Sequence, residues 1–260
     1  MRPFATAAFL LLTAAPALAQ DETVGIRVRE WFARMSGTAE AQDNNSNFTK
    51  VDLADDLGLG NRNWTTEVQA YLHLPVLGRI YAGWWQAHDS GSETLTRTVD
   101  FAGQTFNVAT QVDSAFTLDV GYLTYEFAFP TIPIGPLVKL ELAASAGVRI
   151  LRGDGSISGG GSRGSDSGVV GLPTLGAHVT ATFFDTVRAE VEVLGLAFRY
   201  GDNKADYLEA YAEATVQPLP WVFAGVGYKL AQVDLQHGGS NRFDIHLDIS
   251  GIFLTAGVRF

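Results

Sequence analysis

The chain has 260 residues, of which 47% are hydrophobic and 18% charged, with 28 glycines and no cysteine. That much apolar surface excludes intrinsic disorder, and the lack of cysteine excludes a disulfide framework. A formal net charge of −10 argues against a nucleic-acid partner, which calls for a basic patch, and against general attraction to anionic lipid.

The N-terminal segment reads first. Met1-Arg2 is a short positive region, Phe4 to Ala17 is almost wholly apolar, and Ala17-Leu18-Ala19 gives a small-x-small cleavage pattern before Gln20-Asp21. This predicts a cleaved secretory signal over 1–19 and a single domain over 20–260. The apolar run is shorter than the roughly 20 residues of a spanning helix. No cysteine follows to carry a lipid anchor. After Gln20 no apolar stretch is long enough to span as a helix. An exported, apolar chain without such helices is either a soluble secreted β-protein or a membrane β-barrel.

From there the pattern has a period of two. Val187 to Val193 places Arg188, Glu190 and Glu192 on one face, and 208–216 and 243–250 alternate in the same way. Such alternation predicts strands with one apolar and one polar face. Ten segments follow in order: roughly 23–37, 64–74, 79–90, 113–129, 137–151, 169–184, 187–200, 207–217, 221–235 and 243–260. Each is as long as the ~9–11 residues of a tilted membrane strand. Tight connections at Pro75–Gly78, Pro130–Pro136, Asp185-Thr186 and Pro218–Pro220 alternate with long polar ones near 38–63, 91–112, 152–168, 201–206 and 236–242. The expectation is an all-β, antiparallel up-and-down transmembrane barrel of about ten strands, with eight and twelve as alternatives. The stretch 94–112 either extends two strands or adds a hairpin. Phe129, Phe183, Phe184, Trp221 and Phe260 near the short turns, and Trp31, Trp64, Tyr200, Tyr207 and Phe243 at the other ends, are read as interfacial girdles.

A charge on the lipid face costs about 2–4 kcal/mol near the bilayer midplane, so mid-strand charges are assigned to the lumen. These are Arg27, Arg29, Glu67, Asp119, Lys139, Glu141, Arg149, Arg188, Glu190, Glu192, Glu209, Glu213, Lys229, Asp244, Asp248 and Arg259. At that density opposite charges pair rather than stay hydrated, which favours an internal salt-bridge network over an open conduit. The phase slips at Glu126 and near Gly251, where bulges are one explanation.

The last segment, Gly251 to Phe260, puts Ile252, Leu254, Ala256, Val258 and Phe260 on one apolar face. Here the chain resembles the bacterial outer-membrane β-barrel proteins, including the small OmpA- and OmpW-like barrels. Val51 to Leu59 is similar to an extracellular-loop segment of some of them. The resemblance implies that the final strand closes the barrel. It also implies that Leu254, Ala256, Val258 and Phe260 form the signal read by the barrel-assembly machinery, in an outer membrane of phospholipid and lipopolysaccharide.

Asp244, His246 and Asp248 share one face and are the best catalytic-looking constellation, since a carboxylate beside a histidine orients it and raises its basicity. Ordinary polar lumen lining, which the alternation demands in any case, is the preferred reading, and no Gly-x-Ser-x-Gly elbow supplies a nucleophile. No metal-ligand spacing and no cofactor motif is present. The leading expectation is a structural or narrow-pore outer-membrane barrel without enzymatic activity. The rivals are a lipid A- or peptide-hydrolysing barrel using Asp244 and His246, and a soluble secreted binding protein.

Overall fold

The computed structural model describes residues 23–42, 48–74, 78–201, 203–237 and 243–260. The signal segment over 1–19 and Pro75 to Leu77 of the first tight connection lie outside them. The strands are β1 (Val24–Gln42), β2 (Phe48–Asp52), β3 (Arg62–Leu74), β4 (Gly78–Thr94), β5 (Val99–Phe101), β6 (Gln104–Phe106) and β7 (Gln111–Ala128). They continue as β8 (Ile132–Ile134), β9 (Val138–Gly159), β10 (Ser162–Phe183), β11 (Val187–Tyr200), β12 (Asn203–Leu219), β13 (Val222–His237) and β14 (Phe243–Arg259).

Ten of these form a closed antiparallel wall in the order β1-β3-β4-β7-β9-β10-β11-β12-β13-β14. The ring closes through β14 and β1, with Trp31 opposite Phe253 and Ile26 opposite Val258. The segment 94–112 adds no wall strand: its β5 and β6 pair only with each other. β2 is a short addition to β1, and β8 to β9.

The strands are much longer than a bilayer requires. β9 and β10 have 22 residues each. At a rise of ~3.3 Å per residue such a strand spans roughly 70 Å, well beyond an apolar band of ~25 Å even when tilted. The wall therefore has two zones, and its polarity reverses between them. Near the short turns the outward side chains are apolar: Val24, Ile26 and Val28 on β1, Leu123, Tyr125 and Phe127 on β7, Ile252 and Leu254 on β14. The inward ones there are charged: Arg27, Arg29, Glu67, Arg149, Glu190, Glu209, Glu213 and Lys229 are all buried. Toward the long loops the inward side chains become apolar, with Trp31, Met35, Trp85, Leu118, Val233, Leu247 and Ile249 in one buried cluster. The outward side chains there are polar, as in the Gln86–Asp119, His88–Thr117 and Arg152–Asp154 pairs. Lipid surrounds the first zone and water the second; each buries its apolar face on the side away from water.

This reversal corrects three lumen assignments. Asp119 lies between buried Leu118 and Val120, so its own side chain points outward. Asp244 and Asp248 alternate with Leu247 and Ile249 and also point outward. The pairing of β14 with both neighbours runs unbroken through Gly251. No bulge switches its face there; the surroundings switch, from water to lipid outside and from apolar to polar inside. Glu126 likewise falls in phase with Tyr122 and Thr124 in the lumen. The girdle reading fails for Trp31 and Tyr207, which are 0% and 3% exposed inside the wall, and holds in place for Trp64, which is 63% exposed outside.

The loop after β2 folds inward over the mouth. Leu53, Leu57 and Leu59 join the apolar cluster. Its clamp is Asp89, 2% exposed, which accepts hydrogen bonds from the Gly60 and Asn61 amides at 2.6 and 3.1 Å and from Asn63 Nδ2 at 2.8 Å. Gly58 and Gly91 meet backbone to backbone: a Cβ on Gly91 would lie 2.2 Å from the Gly58 carbonyl oxygen.

The two zones respond differently to one substitution. Val226→Arg, in the middle of the outward apolar run of β13, is expected to lower the unfolding free energy in lipid vesicles by about 2–4 kcal/mol. Gln236→Arg on the same strand, in the water-exposed zone, is expected to stay within about 0.5 kcal/mol of the parent. Denaturant titration of the vesicle-bound barrel reads both.

Candidate functional site: the charged lumen and its vestibule

Directly beneath the apolar fill, Lys229 is 0% exposed. Its Nζ lies 2.9 Å from Glu67 Oε2 and 3.0 Å from Glu209 Oε1. It also sits 5.2 and 5.3 Å from the Trp31 and Trp85 ring centres, and those two rings meet edge to face at 5.6 Å. The carboxylates are held from the other side by hydroxyls: Tyr122 donates to Glu67 at 2.7 Å and Tyr207 to Glu209 at 2.5 Å. Arg149 pairs with Glu209 at 3.5 Å, donates to Thr124 at 2.7 Å and lies over the Tyr122 ring. Such multiple partners are what keep a buried ion pair from being a net loss, since desolvation alone costs several kcal/mol per ion.

One layer lower, Arg29 contacts Glu213 at 2.8 Å and Glu67 at 3.3 Å, and stacks over Tyr211 and Phe253. Arg27 bridges Glu190 and Glu213 at 3.2 and 3.3 Å. Glycines make the room: a Cβ on Gly227 would sit 2.3 Å from the Phe253 ring, and one on Gly83 2.4 Å from that of Tyr122. Across the lumen Arg79 pairs with Glu126 at 3.2 Å and with Glu141, and His178 Nδ1 lies 2.7 Å from Glu126 Oε2.

The structure thus brings together Arg27, Arg29, Glu67, Arg149, Glu190, Glu209, Glu213 and Lys229, with Glu192 lining the same narrow space. Glu141, Arg188 and Arg259 stand lower, near the short turns, and Lys139 pairs at the rim with Asp185 at 2.7 Å. Sequence reasoning missed Arg79 and the four tyrosines Tyr81, Tyr122, Tyr207 and Tyr211. The signal for the tyrosines was present: each is in phase with a lumen charge on its own strand. Arg79 stands at the first residue of its predicted segment, where alternation gives it no preceding neighbour to fix its face. Below the network two adjoining cavities of about 180 and 400 Å³ open toward the short turns.

Asp244, His246 and Asp248 sit on the outer surface above the membrane-spanning part of β14, which begins beyond Ser250. His246 Nδ1 contacts Asp234 Oδ1 and its Nε2 lies 3.0 Å from Asp248 Oδ2. Asp244 instead accepts from Gln236 at 2.6 Å. Both imidazole nitrogens are engaged, which leaves neither to take a proton from a substrate. The hydrogen bond and charge of Asp234, then Asp248, raise the His246 pKa above its ordinary value. Among the described residues no three His, Asp or Glu groups converge to hold a metal ion.

No family model matches the chain, and no curated protein matches it. Among solved structures it is similar to the translocator domain of the autotransporter NalP from Neisseria meningitidis. Identity is 13% over 91% of this chain and 88% of that one, with a TM-score of 0.45. It is also similar to Ail, the attachment invasion locus protein of Yersinia pestis (11% identity, 92% and 100% covered, TM-score 0.33). Neisserial surface protein A matches at 10% identity over 91% of this chain and 97% of that one, TM-score 0.33. These neighbours are bacterial outer-membrane β-barrels.

Two measurements test the site. Lys229→Met leaves Glu67 and Glu209 short of their shared cation, and the expected loss of stability is about 3–5 kcal/mol. Glu67→Gln combined with Lys229→Met should cost clearly less than the sum of the two single changes, as denaturant unfolding of all three variants would record. For His246, the raised folded pKa means that its stabilisation is complete below the ordinary histidine value and fades as pH rises through the higher one. An imidazole titration followed by NMR should move down in pH on Asp234→Asn.

Proposed function

We propose that the chain is an outer-membrane barrel of structural type: exported through a cleaved signal, embedded by its apolar zone, and closed to solutes by its own interior. The observation that carries this reading is the stacked plug. Trp31 and Trp85, both 0% exposed, lie on Lys229, which is held between Glu67 and Glu209. The inward-folded loop around Leu53 to Leu59 covers them from the other side. Ion pairs at 2.9 to 3.0 Å leave no water layer between the partners. Outward apolar residues on every wall strand suit hydrocarbon, and lipopolysaccharide and phospholipid are the lipids the two ends would meet.

The reading assigns no enzymatic role to Asp244, His246 and Asp248, since His246 is held by Asp234 and Asp248 and the group faces away from the lumen. It also ties Phe260 into the short-turn end of the closing seam. Phe260 donates its amide to the Val24 carbonyl at 2.8 Å, and its own carbonyl accepts from the Val24 amide at 3.1 Å.

In planar bilayers the purified barrel is expected to give no steady open steps; a stable conductance would overturn the closed reading in favour of a narrow pore. Fractionation should place the protein in outer membranes, with faster gel mobility before boiling than after. Deleting Phe260 should abolish that heat-modifiable form in cells.

A further inference from the structure

Arg79, Arg188, Thr215 and Arg259 each line both of the cavities at the short-turn end, so they form the collar between an inner and an outer compartment of one vestibule. The vestibule wall carries five basic side chains, those of the collar plus Arg27 and Lys139, against Glu141, Asp185 and Glu190. This reverses the balance of a chain with 28 acids and 18 bases. The carboxylates that compensate Arg27 and Arg79 from behind, Glu213 and Glu126, do not line either compartment. A guanidinium offers five N–H donors, and the carboxylate contacts use only some of them. Arg27 is 8% exposed, and its Nε is buried with no hydrogen-bond partner in the protein. Threonine hydroxyls from β10 (Thr180, Thr182), β12 (Thr215) and the connection before β11 (Thr186) supply further adaptable donors around the outer compartment.

We propose that this vestibule is a binding site for a small, water-soluble multivalent oxyanion of the phosphate or polycarboxylate class, entering from the short-turn end. The arginines of the collar supply planar, bidentate-capable donors matched to tetrahedral or carboxylate oxygens. The inner compartment, about 180 Å³, has room for such an ion with part of its hydration. The charged plug above closes the far side, so the vestibule is a blind pocket and the ion leaves by the way it entered. The blind end rests on the closed reading proposed above, whereas the anion site does not, and binding and conductance are read separately.

Inorganic phosphate titrated into the full-length mature barrel in a non-ionic detergent, followed by calorimetry, is expected to give saturable one-site heat. Chloride at matched ionic strength should give none. Arg188→Gln, at a half-buried position, should weaken phosphate about tenfold while retaining heat-modifiable mobility. A second measurement guards against misfolding of that variant: phosphate should raise the unfolding midpoint of the unmodified barrel beyond the effect of equal ionic strength. Absence of saturable heat, an equal response to chloride, or undiminished phosphate affinity in folded Arg188→Gln each overturns the proposal.

Discussion

One constraint governs the molecule: apolar surface must be turned from water, and water lies on different sides of the wall at different heights. Within the bilayer zone water can reach only the interior, so the wall is apolar outside and charged within. Above it water surrounds the outside, and the same continuous strands are polar outside and apolar within. β1 carries the change in a few residues. Its outward series runs Val24, Ile26, Val28, then Glu30, while its inward series runs Arg27, Arg29, then Trp31, Ala33, Met35. The backbone needs no irregularity for this, because a strand fixes only which side a side chain takes and leaves its chemistry to the sequence.

The two interiors solve different problems. The upper one is filled like a soluble core, with tryptophans, leucines and an inward-folded loop, and gains from burial in the ordinary way. The lower one cannot be apolar on both faces without losing the amphipathic register that seats it in lipid. It is filled instead by ions that neutralise one another. Desolvation makes an isolated buried charge ruinous, which is why Glu67, Glu209 and Glu213 each have more than one partner. Glu67 has Lys229, Arg29 and Tyr122, and Glu213 has both Arg27 and Arg29. Aromatic faces over Arg29, Arg149 and Lys229 serve the cations in the same sense. Where the two interiors meet, Lys229 belongs to both: its ammonium pairs downward and lies against the indole rings above.

The ten wall strands were legible because period-two alternation survives in every one of them, whichever face is apolar. The lower charges were legible for the same reason, since lipid leaves them only one side. What misled was the assumption that one face is polar along the whole strand. Under it Asp244, His246 and Asp248 belong to the lumen, and the apolar run from Ile252 to Phe260 then demands a bulge at Gly251. The slip was itself the record of a change of surroundings. The partners of each charge were not legible, because Arg29 and Glu213 are 184 residues apart and meet only through the curvature of the wall. The vestibule was hidden too: its walls come from seven or more strands, and no local spacing marks a cavity.

The same constraint decides where the hydrogen-bond ladder can stop. The β3–β4 ladder ends at Glu67 opposite Trp85, and the β10–β11 ladder at Leu175 opposite Gly195. Both stops fall near the upper part of the outward apolar run: Val68 and Trp84 are followed by Thr66 and Gln86 on one seam, and Leu175 and Val193 by Pro173 and Gly195 on the other, with Trp64 and Val169 standing exposed farther up. Hydrocarbon offers no partner to an open backbone group, so pairing must be complete through the lipid zone. Above it, water or a loop can take over. On the β3–β4 seam the loop does so, with Gly60 and Asn61 held on Asp89 and Gly58 against Gly91. Above the lipid zone this seam thus rests on side-chain packing and on the Asp89 clamp, while neighbouring seams stay paired farther up, to Thr94 opposite Gln111 and Ser162 opposite Gly159. A seam without its ladder has fewer backbone bonds to break, so the cost of local opening is lowest along these two seams and highest where pairing is complete through the lipid.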